Sequence, residues 1–159
     1  MEILDVFPLP SFTTRFLWEA AVDIGERQDL GSGPTGARGI IPILGGRFRG
    51  GPGLEDFSGV ILPGGADRQL LRPDGTKELD ALYEMQVDDG TILTVRNRVL
   101  IDESRPGQRY CLSRIHVVAP QGPWDWLNRR IILGTLQSAK PTHDVVIIRG
   151  WEADAQIPE

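Results

Sequence analysis

Apolar and polar residues alternate with a period of two through most of this chain, and glycine, Pro-Gly or Asp-Gly interrupts the alternation at intervals of about ten residues. A period of two sends successive side chains to opposite faces, as a half-buried strand requires. The first run is the clearest: Phe12, Phe16, Trp18, Ala20, Val22 and Ile24 fall on one face, and Thr13, Arg15, Glu19 and Asp23 on the other. Further β runs are expected at Arg38 to Phe48, Phe57 to Leu62, Arg68 to Leu71, Leu79 to Val87, Thr91 to Ile101, Arg109 to Val118, Arg130 to Leu136 and Asp144 to Trp151. Leu62-Pro-Gly-Gly65, Arg72-Pro-Asp-Gly75 and Asp88-Asp-Gly90 lie between or beside these runs and supply the positive φ of tight turns. Only Asp125 to Arg129 has a helical look, and it is short. The pattern predicts an all-β fold: a single closed antiparallel β barrel of about eight strands with an internal ligand cavity, because a barrel of that size can hold one small molecule. Residues 1–159 are expected to form one domain, with a polar C-terminal tail over 152–159.

Composition narrows the class of partner. With 40% apolar residues the chain can build a core despite its 19 Gly and 12 Pro. A net charge of −5 argues against nucleic acid, whose binding needs a dense cationic surface. Cys111 is the single cysteine and cannot form an internal disulfide, so a reducing, cytoplasmic setting is expected. The start, Met1-Glu-Ile-Leu-Asp-Val-Phe-Pro8, lacks the basic residues and apolar run of a signal peptide, and no segment has the length of a membrane helix.

Candidate chemistry follows from which polar residues share a face with apolar ones. Gly45-Gly46 and Gly64-Gly65 precede no helix and lack a following Lys-Ser, so they read as turns or barrel corners, not as phosphate loops. Asp67, directly after the second pair, either caps backbone amides or faces the cavity. Tyr83 shares the face of Leu79, Ala81, Met85 and Val87 and should point inward, as a core aromatic or as a hydrogen-bond donor to a ligand. Asn97 shares the face of Leu93, Val95 and Val99, which sends Arg96 and Arg98 outward. His116 alternates with Tyr110, Leu112, Arg114 and Val118, a mixed face that suits either a surface histidine or a general acid or base. His143 lies beside a turn and reads as structural. Two scattered histidines do not make a cupin-type metal site, and no nucleophile elbow is present, so neither metal nor cofactor is expected. Trp124 and Trp126, one residue apart, suit either a pocket mouth or a plug at one barrel end.

Several of these residues sit in motifs that resemble the DUF3237 family, also called UPF0311. The resemblance is carried by Arg38, the Ile43 to Gly50 turn, Leu62-Pro-Gly-Gly-Ala-Asp67, Asp74-Gly75, Asp89-Gly90, Arg96-Asn97-Arg98 and Trp126-Leu127-Asn128. It implies a closed β barrel with an internal cavity and settles shape more than function. It also implies a place at the cavity for Arg38, with Asp67 or a ligand anion as partner, and adds Asn128 to the binding candidates. Leu82 stands where a basic residue is expected, Val99 where glycine is usual and His116 in a stretch that is often acidic or neutral, which suggests a specialised ligand.

The leading expectation is a cofactor-independent isomerase, cyclase or lyase acting on a hydrophobic carbonyl or phenolic compound. His116 would move a proton, Tyr83 and Asn97 would bond a developing oxyanion, Asp67 with Arg38 would fix the ligand or tune the base, and Trp124 and Trp126 would form an apolar wall. A non-catalytic carrier of such a compound and a solidly packed structural barrel are the alternatives. The run Val145 to Ile148 would be covered on both faces in a homodimer.

Overall fold

Ten antiparallel strands and two short helical segments make up the computed structural model, which describes residues 1–159. The strands are β1 (Ser11–Ile24), β2 (Gln28–Gly33), β3 (Gly36–Gly50), β4 (Gly59–Ile61), β5 (Ala66–Leu71), β6 (Lys77–Val87), β7 (Ile92–Arg105), β8 (Gln108–Val118), β9 (Ile131–Ser138) and β10 (Val145–Gln156). A four-residue helix, α1 (Ile3–Val6), precedes them, and a 3-10 helix over Asp125–Arg129 separates β8 from β9. No helix is long and apolar enough to cross a membrane.

The pairing order is β1-β10-β9-β8-β7-β6-β4-β3, and β1 also pairs with β3, which returns the path to its start. Strands β4 and β5 both lie between β3 and β6, one beyond the other. Nine strands therefore occupy eight positions around the path, with β2 outside it as a hairpin partner of β3. The sequence gives little sign of β2: Gln28-Asp-Leu-Gly-Ser-Gly33 holds a single large apolar residue, and backbone pairing alone makes it a strand.

Two departures from the expected pattern have a physical cause. The register of β1 against β10 shifts between Phe16 and Trp18, so Leu17 is an extra residue and the inward phase changes there. Phe16 stands opposite Trp151, their rings 5.4 Å apart, while Trp18 turns inward against Phe57 at 5.7 Å. Phe12 and Trp18 therefore do not share a face, and Phe12 is exposed. At the other terminus, β10 continues to Gln156, paired with Ser11, where a polar tail from residue 152 was expected. Pairing needs only backbone groups, so an exposed polar sequence can carry it.

Strand β3 bends where Gly45 and Gly46 sit. It pairs with β5 up to Pro42 and with β4 from Gly46, and its register against β1 shifts at the same place. A Cβ on Gly46 would lie 2.1 Å from the Ala21 carbonyl oxygen, so only glycine allows this approach. The glycine pair marks a sharp bend in β3, in keeping with the turn or corner its sequence suggests.

The core runs along the inside of the strands. Leu17, Trp18, Phe57, Met85, Leu93 and Val95 are all within 2% of complete burial. At one end Phe57 touches three aromatic neighbours, Trp18, Phe48 and Trp124, with ring centroids 5.0 to 5.7 Å apart in tilted or edge-on arrangements. Burial of each such ring contributes about 1.5–3 kcal/mol.

Candidate functional site

Above this packed layer the inward residues become smaller and more polar, and a pocket of about 260 Å³ opens among Val22, Ile43, Leu79, Val99, Leu136 and Ile148. Its polar lining comes from Asp67, Gln69, Tyr83 and Asn97, together with Lys77, Arg109, Ser138 and Lys140.

Strand register explains how three of these groups converge. Asp67 on β5 pairs with Ala81 on β6, and Ala81 pairs with Asn97 on β7. The three form one row across the wall, with Asp67 and Asn97 two strand spacings, about 10 Å, apart. Ala81 between them carries only a methyl group, which leaves space over the middle of the row. Tyr83 follows two residues beyond Ala81 on the same face, at the level of Val95. The Leu62-Pro-Gly-Gly-Ala-Asp67 motif delivers the carboxylate to this row. Gly64 turns the chain at φ 107°, and Gly65 lies so close to Tyr83 that a Cβ there would stand 2.6 Å from the tyrosine Cβ.

Five buried side-chain polar atoms make no hydrogen bond within the protein, and three of them belong to pocket residues: Asp67 Oδ1, the Tyr83 hydroxyl and Asn97 Oδ1. The other two, Trp18 Nε1 and Ser113 Oγ, belong to one row that crosses Gly150 and Gly134. Leaving such groups unpaired costs about 1–3 kcal/mol each, and their concentration in one pocket marks it as a place where a ligand can complete them. The second Asp67 oxygen accepts a bond from Gln69 Nε2 at 3.0 Å, and Gln69 Oε1 accepts one from Arg27 Nε at 3.3 Å. Burial pushes the Asp67 carboxyl up from the ordinary value of 3.8, and the Gln69 bond offsets this in part. Burial also raises the Tyr83 hydroxyl, which therefore stays protonated and able to donate.

The remaining sequence candidates lie elsewhere. His116 does not join the pocket: it pairs with Arg96 across β7 and β8, on the outer face, while Ser113, Ile115 and Val117 are the inward residues of β8. An even-numbered position on this strand cannot join the inward face of Ser113, Ile115 and Val117 without a bulge, and none intervenes between Thr94 and Asp102. Arg38 also points outward. The strand pairing places Ile41 opposite Asp67 on the pocket side, and Arg38 Nη2 donates to the Leu30 carbonyl at 2.8 Å, so Asp67 is not its partner. Arg38 borders an outer groove with Arg68, Arg98 and Arg114. Arg96 and Arg98 are outward as their alternation predicts, and Arg96 forms a two-pronged bond to Asp80 at 2.8 and 3.0 Å.

Trp124, Trp126 and Asn128 belong to the packed end. Trp124 lies on Phe57 and donates through Nε1 to Asp89 at 2.8 Å, Trp126 packs on the core beneath the Arg130 guanidinium at 5.8 Å, and Asn128 exchanges two bonds with the Ala119 backbone at 2.8 and 2.9 Å. They form a plug, and none lines the pocket. Cys111 has its thiol pushed up by burial, against the direction a nucleophile needs. No three His, Cys, Asp or Glu side chains come together in a metal-binding arrangement.

Sequence reasoning passed over Gln69, Lys77, Arg109 and Lys140. The first two carried a usable signal, since Gln69 is two residues from Asp67 and Lys77 is two from Leu79, each on an inward phase. Lys140 lies beyond the end of β9, where alternation has no meaning.

The architecture has solved relatives. A protein of unknown function from Rhodopseudomonas palustris superposes with a TM-score of 0.80 at 29% identity, covering 92% of this chain and 100% of that one. A β-barrel-like protein from Acinetobacter baumannii matches with a TM-score of 0.80 at 23% identity over 92% of this chain and 99% of its own, and an enzyme from Penicillium herquei with 0.70 at 21% over 92% and 97%. In sequence, a UPF0311 protein of Rhodopseudomonas palustris is 41% identical over 88 residues, 55% of either chain. A UPF0311 protein of Clostridium acetobutylicum is 44% identical over 63 residues, 40% of this chain and 37% of that one. These alignments span about half or less of the relatives' length. The family described as "Protein of unknown function (DUF3237)" matches residues 12–153, nearly the whole strand array, and the chain belongs to that family.

Proposed function

We propose that the strand array closes into a barrel whose lumen binds a hydrophobic carbonyl or phenolic compound, and that the protein catalyses cofactor-independent proton transfer on it, as an isomerase, cyclase or lyase does. The observation that carries this reading is the set of three unpartnered oxygens, Asp67 Oδ1, Tyr83 OH and Asn97 Oδ1, on residues that line one pocket. With His116 on the outer face, the base is Asp67. Its burial-raised carboxyl is matched to proton abstraction better than an exposed aspartate, and Gln69 holds one oxygen while the other is free. Tyr83, kept protonated by burial, would donate to the oxygen on which negative charge develops, helped by the Asn97 Nδ2 group. The unpartnered Asn97 Oδ1, an acceptor, would take a bond from a ligand hydroxyl. The proton leaves the substrate carbon for Asp67 and returns to a different atom of the enolate, so the reaction balances without a further reagent. The Penicillium herquei fold neighbour, being an enzyme, is consistent with catalysis in this architecture.

The test is α-proton exchange of 2-tetralone in heavy water, followed by proton NMR. Wild-type protein should accelerate exchange, Asp67→Asn should abolish the acceleration, and Tyr83→Phe should lower it by about 10- to 100-fold, the loss of one oxyanion donor. The carrier reading has one observation of its own, the predominance of aliphatic side chains in the lining. Line broadening of tetralone without exchange would favour it and overturn the enzyme.

A further inference from the structure

The chain contains two lysines, Lys77 and Lys140, among 17 lysines and arginines together, and both line the pocket. Every ion pair in the protein uses arginine as its cation, and neither lysine takes part in one. Arginine's planar fork suits fixed carboxylate pairs along the strands, whereas an ammonium on a flexible stem can follow an anion that arrives from solvent.

Position along the strands places these cations at the mouth. Lys77 opens β6 on the inward phase of Leu79, Ala81 and Tyr83, opposite Ile101 of β7. Arg109 stands at the start of β8, and Lys140 follows the end of β9. From Lys77 down to Tyr83 is six residues, roughly 20 Å of strand. Arg109 already pairs with Glu103 at 3.3 Å, which leaves the two lysines as the uncommitted charges. Asp67, deep in the pocket, is the single acidic residue of the lining. On a protein of net charge −5, the mouth is thus a local reversal of sign, which draws anions toward the opening.

We infer that the ligand is amphipathic: an apolar body with its carbonyl or phenolic oxygen at the Tyr83–Asn97 floor and a carboxylate at the mouth, held by Lys77 and Lys140. This rests on the proposed lumen binding and adds the anionic head, which nothing at the floor requires. A neutral compound of the same shape would leave both ammonium groups solvated and gain nothing from them.

The test uses the full chain and the neutral fluorophore N-phenyl-1-naphthylamine, displaced by 3-benzoylpropionate or by its methyl ester. The acid should displace the fluorophore at about tenfold lower concentration than the ester, as a charge-assisted contact predicts. Lys77→Gln with Lys140→Gln should bring acid and ester within about twofold by weakening the acid alone, and added salt should narrow the gap in the wild type. Lys77→Glu provides a second variant, in which the ester should become the better competitor. Equal potency of acid and ester, a gap that survives the double substitution, or failure of both to displace a bound fluorophore would overturn the anionic head and leave the pocket reading intact. Failure of the fluorophore to bind at all would overturn both.

Discussion

The two ends of the strand array are built from the same strands and the same alternation, yet one is filled and the other holds a pocket. On β6 the inward residues run Lys77, Leu79, Ala81, then Tyr83, Met85, Val87; on β7 they run Ile101, Val99, Asn97, then Val95, Leu93. Beyond Tyr83 every inward residue of the two strands is apolar, and Trp18, Phe48, Phe57 and Trp124 close that end with their rings. Before it, short side chains and polar tips line open space. Register decides which wall a residue faces, and side-chain volume decides whether the wall meets its opposite. The division of labour follows, with one end supplying stability and the other leaving polar atoms unsatisfied at a cost the first end must offset.

The sharpest way to break this contrast is to hollow out the packed end. Phe57→Ala removes the ring that Trp18, Phe48 and Trp124 share and should lower unfolding free energy by about 3–5 kcal/mol in a urea titration, because the rigid neighbours cannot collapse into the space. Leu79→Ala enlarges a space that already exists, and its loss should stay below about 2 kcal/mol. Equal losses at the two positions would show that the pocket end contributes as much packing as the plug.

Next in size is Asn128→Ala. The two bonds to Ala119 anchor the segment that follows β8, and their loss should destabilise the protein by about 1–2 kcal/mol while leaving N-phenyl-1-naphthylamine affinity unchanged. A drop in affinity at constant stability would return Asn128 to the binding site.

Asp67→Asn tests the polar floor through pH. Its folded-state carboxyl titrates above the ordinary 3.8, so between those two values the native protein holds a proton that the unfolded chain has released. Stability from this group is therefore greatest below pH 3.8 and declines as pH rises through the raised value. The asparagine variant has no such decline. It should match the wild type at the acid end and exceed it at neutral pH, as read from urea midpoints across a pH series. A variant less stable than wild type at neutral pH would mean that the carboxylate is held by stronger partners than Gln69.

Most of the fold was legible because alternation and Gly or Pro-Gly punctuation are local signals. They place Tyr83 and Asn97 inward and Arg96 and Arg98 outward, all as observed. The failures mark where local signals end. The extra residue Leu17 inverts the phase of β1, and sequence spacing alone gives no notice of a bulge. Strand β2 and the last residues of β10 are held by backbone pairing that side chains do not advertise. At the site, Asp67 could be read in two ways because its face depends on where β5 begins after the turn. The two tryptophans divide from the pocket because the 3-10 helix carries them to the opposite end.

His116→Ala has the smallest expected effect, and it sharpens the comparison through what it leaves alone. The imidazole lies outside the wall, beside Arg96, and is separated from Tyr83 and Asn97 by the thickness of the sheet. Its removal takes away no core contact, so stability should change by less than about 0.5 kcal/mol. Tetralone exchange should keep its wild-type rate, while Asp67→Asn abolishes it. Loss of exchange in His116→Ala at unchanged stability would require the outer face to touch substrate. The base would then be on the wrong side of β8 for the pocket described above, and the arginine-lined outer groove would become the site to examine.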